Sequence, residues 1–144
     1  MNKEQEEFSS LFQLTPSISI LGLNIDNQDI NTTLTQLLQP YDGILTTIKS
    51  NNLKEIRVKA KRSSYDYAIL SNSILNCDNK DILMKIVASA IRDSGYIIIL
   101  EDRSEDVNFI YELLEEFDFG AISQVDIFKN YYLIIGKKLH MWGM

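Results

Sequence analysis

The chain from Tyr65 to Asn76 reads YDYAILSNSILN, and the rest of the sequence is organised around it. One acid, Asp66, is followed by the apolar run Tyr67, Ala68, Ile69 and Leu70, which then breaks into Ser71, Asn72 and Ser73. A strand that is apolar on successive positions is buried on both faces, as in a parallel sheet covered by helices. Open α/β sheets hold their ligands in the crevice at the carboxyl ends of such strands. Ser71, Asn72 and Ser73 therefore mark where a site is expected.

Downstream, Asp78 or Asn79 is placed to cap a helix with Ile82, Leu83, Ile86, Val87, Ala90 and Ile91 along its apolar stripe. Ser94-Gly95 is expected to end it, because glycine takes the left-handed C-terminal geometry at little cost. Tyr96 to Leu100, YIIIL, is a second fully apolar strand. Ser104 is expected to cap the next helix, with Glu105 and Asp106 well placed for its dipole and Val107, Ile110, Leu113, Leu114 and Phe117 inward. After an exit at Asp118 to Gly120, Ala121 to Phe128 and Tyr131 to Gly136 read as strands joined at Lys129-Asn130, short enough for a hairpin.

Upstream, a short amphipathic helix is expected at about residues 3 to 14, with Phe8, Leu11 and Phe12 on one side and Thr15-Pro16 ending it. Ser17 to Asn24 reads as the first strand. Asp26 or Asn27 caps a helix carrying Ile30, Leu34, Leu37 and Leu38, which Gln39-Pro40 stops. Ile44 to Lys49 is a second strand. From Glu55 to Lys61 the sequence alternates, Ile56, Val58 and Ala60 against Arg57, Lys59 and Lys61, which predicts an edge strand with the apolar set inward. Few residues separate it from the preceding strand, so either a hairpin forms there or one of the two is not a strand. The whole chain reads as one α/β domain: an open, mostly parallel sheet with helices on both faces and a C-terminal antiparallel hairpin.

The segment from Tyr65 to Asp102 resembles the second half of the class I S-adenosylmethionine-dependent methyltransferases, a Rossmann-like fold. The marks are a strand opening in Tyr65-Asp66, then Arg92 and Gly95 at the end of the expected helix, one residue closer together than in the family's Arg-x-x-x-Gly, then the aliphatic strand Tyr96 to Leu100. Leu113 to Lys138 is similar to that family's last helix and closing hairpin, with Asp118-Phe119 where Gly-Phe is usual. The likeness covers about half the chain and is a pattern of fold, not a catalytic motif. It implies a cofactor crevice formed here by Gly22, Leu23, Asn24, Lys49, Ser71 and Asn72.

In the first half the family's ligand chemistry is missing. Of the glycine-rich turn after the first strand, one glycine remains, Gly22, with Asn24 and Asp26 at the next two positions. Ile20 stands where the family has an acid for the methionine end of the cofactor. Ile48-Lys49-Ser50 ends the second strand, where an acid accepts the ribose hydroxyls, and Ala60-Lys61 falls near the adenine-contacting acid. The resemblance thus implies a degenerate cofactor half.

Composition narrows the classes further. A formal charge of −6 and a 24% charged fraction describe an ordinary acidic globule and argue against general nucleic-acid or anionic-membrane binding. The single cysteine, Cys77, allows no internal disulfide and fits a cytoplasmic setting. The start, MNKEQEEF, has acids where a signal peptide needs a basic and then an apolar run. Six of the fourteen basic residues lie between Lys49 and Arg62, opposed there only by Glu55, while nine acids lie between Glu101 and Asp126 with only Arg103. Glu101-Asp102 is an acidic pair at a strand end that lacks a third metal ligand and reads as a solvated turn. His140 has no partner in sequence, and Asp26 and Asp29 only weakly imitate the acids of a phosphoacceptor receiver domain.

Two functions from different classes follow. In the first, the chain is a protein-interaction or regulatory module, binding no cofactor and associating with a protein partner or with itself. The surfaces on offer are the basic segment, the aromatic ends (Phe8, Phe12, Trp142) and the acidic helix. In the second, it is a small methyltransferase using S-adenosylmethionine through an atypical site.

Overall fold

In a computed structural model, residues 1–139 are described; His140 and Trp142, both considered above, lie outside them. The order of elements is α1 (Lys3–Ser9), β1 (Ser19–Leu23), α2 (Gln28–Leu38), a 3-10 turn (Gln39–Tyr41), β2 (Ile44–Ile48), α3 (Leu53–Lys59), β3 (Tyr65–Ser71), α4 (Lys80–Ala90), β4 (Ile91–Asp102), α5 (Asn108–Glu116), β5 (Phe119–Val125) and β6 (Tyr131–Lys138). The strands form a single sheet in the order β2-β1-β3-β4-β6-β5. β2, β1, β3 and β4 run parallel, and β6 enters antiparallel between β4 and β5.

The two apolar strands are central and adjacent, as their composition predicts: Ala68 pairs with Ile97, Ile69 with Ile98 and Leu70 with Ile99. Alternate residues feed opposite cores. Leu21, Leu23, Ala68, Leu70, Ile97 and Ile99 pack under α3, α4 and α5, and Ile20, Tyr67, Ile69, Ile98 and Leu100 pack under α1 and α2. With both faces covered, an apolar residue at every position is needed rather than tolerated.

Asn27 and Asn79, not their preceding aspartates, cap α2 and α4 by accepting the amides of Ile30 and Ile82. The first helix ends at Ser9, earlier than its periodicity predicts, and Phe12 reaches the core from the following loop by packing on Phe8 and Tyr67. α4 ends at Ala90 rather than at Ser94-Gly95, because Ile91 turns extended and pairs with Tyr65. Ser104 caps nothing: α5 begins at Asn108, whose amide bonds to Asp106. The hairpin is longer than expected, its connection running from Asp126 to Asn130.

The largest correction concerns Glu55 to Lys61. It is not an edge strand; Leu53–Lys59 is a helix capped by Asn52, with Ile56 buried and Val58 78% exposed. The helix carries the chain from β2 across to β3, so β2 itself is the sheet margin. No helix among the described residues is long and apolar enough to cross a membrane.

Candidate functional site

The carboxyl ends of β1, β2 and β3 meet at Asn24, the first residue after β1, which adopts the left-handed φ of 56°. Asparagine takes this region more readily than most residues because its short amide bonds locally. Its main-chain amide donates to Ile48 O at 2.8 Å, and its side chain does the rest. Asn24 Oδ1 accepts the Ser50 amide at 2.8 Å, while Nδ2 donates to Ser50 O at 2.9 Å, Asn51 Oδ1 at 3.1 Å and Ser73 Oγ at 3.3 Å. Ser73 in turn donates to the carbonyls of Ser71 (3.1 Å) and Leu23 (3.4 Å). One amide thus ties the ends of three strands together.

The other crevice residues divide. Gly22 and Leu23 are buried, and a Cβ placed on Gly22 would lie 2.9 Å from Ile25 Cδ1, so the Ile25 side chain already occupies the space that glycine leaves. Ser71 is buried within the Asn24 network. Asn72 turns the other way: at a φ of 49° its amide donates to Leu100 O and its Oδ1 accepts the Asp102 amide, which locks the β3 exit to β4. Lys49 is exposed and faces an open groove of about 300 Å³ between α2 and β2, alongside Leu45, Thr47 and Asn31. Asn31 Oδ1 is buried in this region without a hydrogen-bond partner. The six candidates therefore do not line a common pocket.

Glu101 departs most from its sequence reading. It is not in a solvated turn: it is 1% exposed at the end of β4, and neither carboxylate oxygen has a hydrogen-bond partner, while Asp102 points to solvent. Burial raises its pKa from 4.5 to about 7; the amides of Leu75 and Ile74, near the carboxylate but outside hydrogen-bond geometry, pull the other way, and Asp102 and Glu105 add smaller like-charge repulsion. Strand parity was the available signal, since Ile97, Ile99 and Glu101 share one face. Among the described residues no group of three His, Cys, Asp or Glu side chains is arranged to hold a metal ion.

A cavity of about 50 Å³ lies between α1, the start of α2 and the β5–β6 connection, lined by residues including Gln5, Phe8, Asn27, Phe128 and Tyr131. That is far below the roughly 300 Å³ at which small-molecule pockets begin.

No protein-family model and no curated protein matches the sequence. Solved structures do match. A methyltransferase dependent on S-adenosylmethionine from Aquifex aeolicus superposes at a TM-score of 0.69 and 10% identity, over 94% of this chain and 89% of that one. This is the class I methyltransferase-like fold. The same architecture recurs in 1,6-didemethyltoxoflavin-N1-methyltransferase from Burkholderia thailandensis (TM-score 0.64, 12% identity, 95% and 79% of the two chains). It recurs again in phosphoethanolamine N-methyltransferase 2 of Haemonchus contortus, solved with S-adenosylmethionine, at a TM-score of 0.69 and 10% identity, where the match spans 96% of this chain and 53% of that one. At such identities the methyltransferase-like fold is shared and the chemistry is a separate question.

Proposed function

We propose that this chain keeps the methyltransferase-like fold without standard S-adenosylmethionine binding and works as a protein-interaction module. The observation that carries the reading is the Asn24 network. Where the family opens its crevice with glycine, the Asn24 amide binds Ser50 and Ser73 across it, and Ile25 packs on Gly22 from above. The residues present do not fit the cofactor. A ribose placed at the end of β2 would meet Lys49 instead of a carboxylate and lose two charge-assisted hydrogen bonds, each worth roughly 1.5–3 kcal/mol. That loss alone weakens binding by about a hundredfold or more.

Calorimetric titration with S-adenosylmethionine and S-adenosylhomocysteine tests the reading directly. No saturable heat is expected at cofactor concentrations up to the millimolar range. Saturable binding at micromolar concentration would restore the alternative, a small methyltransferase with an atypical site.

A further inference from the structure

The sheet has two margins, and only one is protected. At β5 the ladder to β6 breaks between Gly120 and Ser123, where Ala121 takes a φ of 48°, and such bulges twist an edge away from new partners. β2 has no such device. Its five residues, ILTTI, carry no charge and no proline, and pair with β1 without a register shift. Its first residue, Ile44, is 60% exposed, and Tyr41 just before the strand is 37% exposed.

The unpaired side of β2 can be specified. Ile44 N donates to Ile18 O and Ile48 O accepts the Asn24 amide, so residues 44, 46 and 48 direct their main-chain groups toward β1. By alternation, the N–H and C=O groups of Leu45 and Thr47 point outward.

We propose that this edge pairs with the same edge of a second copy of the chain, antiparallel about a twofold axis at Thr46. The inference deepens the interaction-module reading and rests on it. Centring on Thr46 matches the whole strand: Leu45 faces the partner's Thr47 and exchanges both N–H···O bonds with it. Thr46 faces the partner's Thr46 as a close non-hydrogen-bonded pair, a favourable cross-strand combination. Charge selects the same arrangement. Lys49 of each copy comes opposite the partner's Gly43, one residue from the partner's Asp42. Asp42 and Lys49 are both exposed, and neither is in an ion pair among the described residues. An isologous interface uses each such contact twice.

Sedimentation equilibrium of the full chain, from low micromolar to sub-millimolar concentration, is the test. A reversible dimer is expected. Thr47→Pro, which removes an outward N–H at a position where an edge strand tolerates proline, should raise the dissociation constant at least about tenfold with an unchanged far-ultraviolet circular dichroism spectrum. Asp42→Asn keeps the left-handed turn and should weaken the dimer by about threefold at low salt, in line with an exposed ion pair. Thr46→Cys should give a covalent dimer on mild oxidation, since close antiparallel pairs meet disulfide spacing; the wild type, whose Cys77 is buried, should not. A chain that stays monomeric throughout, or a dimer indifferent to Thr47→Pro, overturns the inference. Cofactor titration is read separately: saturable binding would sink the parent reading, whatever the dimer does.

Discussion

Asp66 and Arg92 face each other across the amino end of the sheet, with Arg92 Nη1 3.0 and 3.2 Å from the two carboxylate oxygens. The same carboxylate accepts the Ser19 amide at 2.9 Å, which joins β1 to β3. Gly95 completes the knot, because a Cβ there would lie 2.7 Å from Asp66 O and 2.9 Å from Arg92 O. The residues that carry the family resemblance in sequence are therefore a structural clamp, remote from the crevice. Gly95→Ala should destabilise the protein by about 2–4 kcal/mol, since main-chain atoms must move to admit the methyl group. Arg92→Ala should cost only about 1 kcal/mol, its side chain being half exposed. Urea unfolding of the two variants checks the order; equal losses would mean the glycine is not tightly packed.

At Asn24 two effects separate by substitution. Asn24→Gly loses the side-chain bonds to Ser50, Asn51 and Ser73 but sits comfortably at a φ of 56°. Asn24→Ala loses the same bonds and adds left-handed strain. Glycine should cost about 1–2 kcal/mol and alanine about 1 kcal/mol more. Alanine more stable than glycine would show that residue 24 is not held in the left-handed region, and a glycine variant as stable as the wild type would show that the side-chain network contributes little.

The legibility of the fold was uneven for a physical reason. Runs such as YAIL and YIIIL belong unambiguously to a doubly covered sheet, and asparagine caps announce helix starts. From Glu55 to Lys61 spacing leaves the choice open, because Ile56 and Ala60 are four apart, which puts them on one face of a helix and also on one face of a strand. The signals that mark the helix, the cap Asn52 and Leu53 three residues before Ile56 and packed on the same core, precede the alternating run. The crevice was partly legible, since the missing acids and glycines are visible by position. The closing role of Asn24 was not, because its partners Ser50 and Ser73 come from distant parts of the chain. Glu101 reads as part of a solvated turn because the acidic pair at the strand end lacks a third metal ligand, whereas strand parity with Ile97 and Ile99 turns it inward.

That ambiguity gives its own experiment. In the helix, Ile56 is 2% exposed and Val58 78%. Ile56→Ala should therefore cost about 2–4 kcal/mol, and Val58→Ala less than about 0.5 kcal/mol, with a slight gain possible from helix propensity. Comparable losses at both positions would favour the strand.

Glu101 gives the pH prediction. Its pKa is raised to about 7 in the folded protein by burial, from an ordinary value of 4.5. The folded state then binds this proton more tightly than the unfolded state does. Stability from this group is fully present below about pH 4.5, declines as pH rises, and levels off above about 7. The span of that decline is on the order of 3 kcal/mol. Other carboxylates titrate in the same window, so the useful quantity is the difference between wild type and Glu101→Gln. The variant cannot ionise, so it should lack this decline. Its advantage over wild type should grow from pH 4.5 to pH 8 by roughly 2–3 kcal/mol. Urea midpoints across this range decide the matter. Parallel curves would mean that Glu101 ionises at an ordinary pKa, with its carboxylate reaching partners or water that the buried position denies it.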